Sequence, residues 1–188
     1  MSVGLFGGAF DPPHRGHVEL VRRAKEELGL DEVVVLVAAD PGHKRVETPA
    51  DVRLELARAA FPGDTVLLDG HGRTVDLLRE HPEWRDAWFV IGADEFADFL
   101  SWKEPDEVLA RVRIAVGTRP GFAPERLQGV LDGLAHPERV RLFDMEPVPA
   151  ASRDLRQHLV DGDLPPAVAE IIRREGLYPV EPRYTEAS

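Results

Sequence analysis

Two rhythms of apolar residues alternate along the chain. Short apolar runs, rich in β-branched residues, occupy positions 3–6, 33–37, 65–68, 87–91, 112–116 and 140–143 and predict strands. Between and after them, apolar side chains recur every three or four positions over 16–28, 50–60, 74–80, 106–111, 124–134, 152–160 and 166–175, which predicts helices. Strand and helix in alternation describe an α/β protein built on a parallel sheet with crossover helices. Val33-Val34-Val35-Leu36-Val37 has no polar position at all, as expected of a central strand covered on both faces. Ligands of such sheets bind beyond the carboxyl ends of the strands, so segments 7–17, 39–44, 69–74, 92–94 and 117–121 are expected along one rim.

Length and composition narrow the class. With 188 residues the chain suffices for one domain with a substantial core, expected over residues 1–180, and the polar residues 181–188 read as a loose tail. Apolar residues make up 43% and charged residues 30%, which suits a folded rather than a disordered chain. No apolar run approaches membrane-spanning length, and the amino terminus lacks a basic region followed by a signal-type apolar segment, so a cytoplasmic protein without a membrane partner is expected. Zero cysteines exclude disulfides, thiolate nucleophiles and cysteine zinc sites, and no metal ligand set is expected. A net charge of −11 argues against nucleic acid as a partner. Any phosphate site must concentrate its cations locally, with Lys44, Arg45, Arg119, Arg153 and Arg156 as candidates.

The first strand hands over to the first helix through Gly7-Gly8-Ala9-Phe10-Asp11-Pro12-Pro13-His14-Arg15-Gly16-His17. Backbone amides at a helix start carry partial positive charge and lack intrahelical acceptors, so an anion can settle there. Two imidazoles one turn apart can donate hydrogen bonds to oxygens whose charge grows during a reaction. His-x-Gly-His is expected by chance roughly 0.02 times in a chain of this composition, so its position at a strand-to-helix turn carries as much weight as the pattern itself.

This segment resembles the signature of the HxGH nucleotidyltransferases, and especially of bacterial nicotinate-mononucleotide adenylyltransferases. The resemblance implies a Rossmann-like doubly wound parallel sheet in a single domain with carboxyl-terminal helices. It further implies AMP transfer from ATP to a pyridine mononucleotide, with Mg²⁺ accompanying the triphosphate. His14 and His17 take the catalytic positions, and Gly7, Gly8, Ala9 and Phe10 join them in binding ATP. Asp11 falls on the substrate side.

Further segments extend the likeness along nearly the whole chain. Pro41-Gly42-His43-Lys44 resembles a Pro-Pro-His-Lys loop in which Lys44 meets phosphates of both substrates, with Gly42 in place of the second proline. Gly72-Arg73-Thr74 resembles the segment facing the pyridine ring, where Thr74 matches and Gly72-Arg73 stand in place of Ser-Tyr. Read from the residues alone, Thr74 can equally be a helix cap and Arg73 an exposed side chain; the other reading is that Arg73 favours an acidic pyridine ring. Gly92 and Asp94 match a Gly-x-Asp motif for the ATP ribose, although an aspartate beginning a helix is also a common cap. Trp102 and Lys103 match a region placed against the pyridine substrate, where Trp102 stacks on the ring or serves as an ordinary core aromatic. Arg119, in Gly117-Thr118-Arg119-Pro120-Gly121, is a candidate for the substrate phosphate. Ala151-Ser152-Arg153-Asp154-Leu155-Arg156 resembles an element that grips ATP phosphates, with Ser152 and Arg156 matching and Ala151 and Arg153 departing. Glu175-Gly176-Leu177-Tyr178 matches the family's closing Leu-Tyr.

The expected reaction is in-line attack by a mononucleotide phosphate on the α-phosphorus of ATP, with nicotinate mononucleotide the first choice of acceptor and nicotinamide mononucleotide the second. Two other readings stand beside it. One is a phosphopantetheine or other small-phosphate adenylyltransferase; the other is a nucleotide-binding regulator without turnover. A homo-oligomer is compatible with the sequence.

Overall fold

The computed structural model describes residues 1–42, 46–119, 122, 124–146 and 161–178. Its strands are β1 (Val3–Gly8), β2 (Glu32–Ala38), β3 (Thr65–Asp69), β4 (Trp88–Gly92), β5 (Arg113–Thr118) and β6 (Val140–Asp144). The helices are α1 (Arg15–Leu28), α2 (Ala50–Ala60), α3 (Thr74–Glu80), α4 (Ala93–Ala97), α5 (Pro105–Arg111), α6 (Pro124–Asp132) and α7 (Pro166–Glu175). The strands form one sheet in the order β3-β2-β1-β4-β5-β6, parallel at every pairing. This is the doubly wound, Rossmann-like arrangement: the chain builds outward from β1 on one side, returns, and builds outward on the other.

Strand alternation sends side chains to two cores. Val33, Val35 and Val37 of β2, with Phe6, Val90 and Ala115, pack against α1, α2 and α7. Leu5, Val34, Leu36, Phe89, Ile91, Ile114 and Val116 face α3, α4, α5 and α6 on the other side. The unbroken apolar run of β2 follows, since every residue there faces a covered side.

One detail of pairing positions the site. β1 pairs with β2 over six positions, from Val3↔Glu32 to Gly8↔Val37, but with β4 only at Gly4↔Trp88 and Leu5↔Phe89. Past Leu5 both strands run on without pairing each other. The unpaired interval lies where strand order reverses, at the carboxyl end of the sheet, the position at which open α/β sheets hold ligands.

The expected elements recur with shifted ends. β1 runs to Gly8 rather than residue 6, because pairing with Leu36 and Val37 overrides the weak strand preference of Gly7 and Gly8. α4 leaves no periodic signal, since five residues are too few to display one, and only the helix-start reading of Asp94 points to it. The predicted helix over 152–160 and the tail 181–188 lie outside the described residues.

Candidate active site

His14 is the N-cap of α1, with extended backbone. Its Nδ1 accepts a hydrogen bond from the Gly16 amide at 3.1 Å, while Nδ1 of His17 accepts from the His14 amide at 3.2 Å. The pair is a reciprocal capping box made from two imidazoles instead of a hydroxyl and a carboxylate. Their rings stack with centroids 3.7 Å apart. A nitrogen that accepts from an amide carries no proton, so each neutral ring bears its hydrogen on Nε2. His14 is only 7% exposed, and burial first, then the nearby Arg119 cation, pushes its pKa down to about 4. It is therefore neutral at pH 7.

The turn before the cap is held by aromatic packing. Phe10 has φ 52°, an unusual backbone state for a bulky residue. Its buried ring meets Phe6, His17 and Phe61 edge-on at centroid distances of 5.4, 5.2 and 5.9 Å. A Cβ on Gly8 would stand 2.9 Å from that ring, so this glycine leaves room for Phe10 as well as for any ligand. With the ring committed to the core, Phe10 can meet a nucleotide only through its backbone.

Asp11, expected on the substrate side, is 1% exposed and ties chain segments together. Oδ2 accepts from the Glu47 amide at 2.7 Å and Oδ1 from the Tyr178 hydroxyl at 2.5 Å. Tyr178 in turn accepts from Thr48 Oγ1 at 2.8 Å. Beside them Arg53 is buried to 1% exposure. It donates Nε to the Thr48 carbonyl, one terminal nitrogen to the Ala9 and Ala38 carbonyls, and the other to the Ala39 carbonyl, at 2.7 to 3.0 Å. Sequence reading missed Arg53, yet a signal existed. Arg53, Leu56, Ala57 and Ala60 are the buried face of α2, so the arginine occupies a position on the apolar stripe.

Across the unpaired interval lie the exits of β4 and β5. A Cβ on Gly92 would meet nothing within 4 Å, so the space above it is open. Asp94 is exposed in the first turn of α4 and makes no side-chain cap. Its Oδ2 instead pairs with a terminal guanidinium nitrogen of Arg119 at 2.7 Å. Gly117, just before, has a steric reason to be glycine: a Cβ there would stand 2.4 Å from Leu20 of α1 and from the Met145 sulfur.

The third sector follows β3. Arg73 holds the N-cap position of α3 without a side-chain cap, and Thr74 is the first helical residue rather than the cap. His71 bridges Asp69 at 2.8 Å and Glu80 at 3.2 Å, and its hydrogen bond with Asp69 raises its pKa. Trp102 is half-buried against Phe99 and Phe89, with ring centroids 5.0 and 6.1 Å away. Lys103 lies 3.0 Å from both carboxylate oxygens of Asp76, two residues beyond Thr74. The Thr74 helix and the Trp102-Lys103 segment are thus joined.

Lys44, Arg45, Ala151, Ser152, Arg153 and Arg156 lie outside the described residues. Among the described residues, no group of three or more His, Asp or Glu side chains could hold a metal ion. No helix among them is long and apolar enough to cross a membrane.

Comparisons with known proteins identify the family. Residues 5–163 match the cytidylyltransferase-like family. A Rubrobacter xylanophilus protein named "Probable nicotinate-nucleotide adenylyltransferase" is 35% identical, with 98% of this chain and 95% of the relative covered. A Thermus thermophilus protein of the same name is 37% identical over 95% of this chain and 100% of its own. The solved Plasmodium falciparum nicotinic acid mononucleotide adenylyltransferase complexed with NaAD shares the fold at a TM-score of 0.75 and 17% identity, covering 94% of this chain and 97% of that one. The family match over residues 5–163, with relatives 35% and 37% identical along almost the whole chain, makes this protein a member of the cytidylyltransferase-like family, with nicotinate-nucleotide adenylyltransferases among its relatives.

Proposed function

We propose that the chain transfers AMP from ATP to nicotinate mononucleotide, forming the dinucleotide and pyrophosphate in NAD biosynthesis. The observation that carries this reading is the reciprocal imidazole cap, which commits both Nδ1 atoms to the backbone and leaves Nε2–H as the donor on each ring. Three relatives 33% to 37% identical over 94% to 98% of this chain, each named "Probable nicotinate-nucleotide adenylyltransferase", support the choice of acceptor.

In this mechanism a phosphate oxygen of the mononucleotide attacks the α-phosphorus in line. The bond to the bridging oxygen breaks, and pyrophosphate leaves with the electron pair. No covalent enzyme intermediate is needed, so the protein's contribution is positioning and charge stabilisation. His14 and His17 act as neutral donors to α-phosphate oxygens, with the backbone of Gly7 to Phe10 beside them. Gly92 admits the nucleotide closely, and Asp94 takes the ribose hydroxyls after parting from Arg119. Arg119 is then available to the mononucleotide phosphate. Thr74, Trp102 and Lys103 line the pyridine side, and Asp11 acts by holding the turn. Lys44, Ser152 and Arg156 are assigned to phosphates on sequence grounds. Mg²⁺ is proposed to enter as the cation of the ATP substrate, since the described residues offer it no carboxylate cluster. A small nucleotide partner and a cytoplasmic setting fit the acidic chain, no described helix of which is long and apolar enough to cross a membrane.

An acceptor panel tests the reading. With ATP and Mg²⁺, pyrophosphate release and dinucleotide formation are followed for nicotinate mononucleotide, nicotinamide mononucleotide and phosphopantetheine. Nicotinate mononucleotide is expected to be used best. Preference for phosphopantetheine, or ATP binding without any product, defeats the assignment. In the same panel Arg73→Ala should narrow the preference for the acidic ring, and unchanged selectivity removes Arg73 from substrate choice.

A further inference from the structure

We propose that Arg53 and Tyr178 are positioning residues for adenylyl transfer, clamping three segments distant in sequence into one seat beneath the His14/His17 turn. This inference rests on the function proposed above and deepens it.

Burying a guanidinium is costly, and an apolar residue at the same place on α2 would fill the core without that cost. Desolvation pushes the Arg53 pKa below its ordinary value, opposed by the charge of Asp11 and by Tyr178. The use of the cation is visible in its partners. The Ala9 carbonyl belongs to the turn leading to His14. The Ala38 and Ala39 carbonyls mark the exit of β2, and the Thr48 carbonyl lies just before α2. Only a planar fork with several donors reaches all four, and lysine cannot reproduce it.

Asp11 and Tyr178 complete the clamp from the other end of the chain. α7 stops at Gly176, whose φ of 61° reverses the backbone, and Tyr178 follows with φ 56°. This return brings a hydroxyl 167 positions away in sequence onto Asp11, three residues before His14. The same hydroxyl accepts from Thr48, whose carbonyl receives Arg53. Asp11, Thr48 and Arg53 are buried and Tyr178 is half-buried, so the hydrogen bonds that join them are costly to leave unmade. Neither Arg53 nor Tyr178 is a candidate for touching substrate. Both act on where the two imidazoles stand, and a displacement near 1 Å at such a site can cost about 100-fold in rate.

Tyr178→Phe deletes one oxygen and keeps the ring. Its kcat is expected to fall about tenfold with both substrates saturating, while each KM stays within about twofold. Arg53→Lys should lose more, about 100-fold. Thr48→Val should resemble Tyr178→Phe, the Tyr178→Phe/Thr48→Val double variant should be no worse than either alone, and Thr48→Ser should restore wild-type kcat. Hydrogen exchange supplies a readout that does not need turnover: the Glu47 amide, which donates to Asp11, should exchange faster in Tyr178→Phe. All rates are referred to the folded fraction measured by circular dichroism. Wild-type kcat in Tyr178→Phe, with only a lowered Tm, overturns the proposal and leaves a purely structural clasp. Should Arg53→Lys fail to fold, Tyr178→Phe decides alone. A wild-type control that makes no dinucleotide defeats the assigned activity instead, and the exchange measurement still tests the clamp.

Discussion

The two sides of the rim are built by opposite means. On the β1 and β2 side, His14, Asp11 and Arg53 are buried and hydrogen-bonded to other chain segments or within the cap itself. On the β4 and β5 side, Asp94 and Arg119 are exposed and hold each other across one ion pair. Buried groups in low dielectric are strongly held by their partners, whereas an exposed pair is screened and easily exchanged. The first side is preorganised; the second can surrender its internal contact to a ligand, in the proposed reading a ribose and a phosphate.

The sharpest way to break this contrast is His17→Ala. Loss of one preorganised donor commonly costs about 100-fold to 1000-fold, so kcat should fall by that order with the fold retained by circular dichroism. Near-normal turnover would remove His17 from the chemistry.

Acid titration sharpens the buried side next. The folded-state pKa of His14 lies near 4, below the unfolded value near 6.5, so the unfolded chain binds the proton more readily. The stability that depends on the neutral ring is fully present above pH 6.5 and is lost as pH falls from 6.5 towards 4. The total is about 3 kcal/mol, and urea unfolding of wild type against His14→Gln should show this pH slope only in the wild type. Equal slopes would mean that His14 is not held neutral by burial.

The smallest effect belongs to the exposed side. Arg119→Ala should leave Tm within about 2 °C of wild type while raising KM for the mononucleotide about tenfold. A large Tm loss with unchanged KM would reverse the contrast between the two sides.

How far the sequence reaches differs between these regions. The strands were legible because apolar runs such as Val33 to Val37 leave no other reading, and the rim rule then brought residues 7–17, 92–94 and 117–119 to one edge. The reciprocal cap was not legible, since histidine is not a usual cap residue and the geometry depends on how two rings stack. Arg53 was hidden for another reason. A charged residue on a helix is ordinarily read as solvated, although its place in step with Leu56, Ala57 and Ala60 marked it as inward-facing. The partnership of Asp94 with Arg119 lay beyond reach, because nothing local couples residues 25 apart. Asp11 matched a substrate position by resemblance, yet the structure shows its carboxylate turned to Glu47 and Tyr178.

In the proposed mechanism the imidazole cap makes the beginning of a helix and the arming of a reaction the same event. Fraying of a single turn at Arg15 and Gly16 would release both Nδ1 atoms and free both rings to swivel. Under the proposed mechanism, readiness for chemistry is gated by one turn of backbone, and heat or acid that loosens that turn silences both rings together.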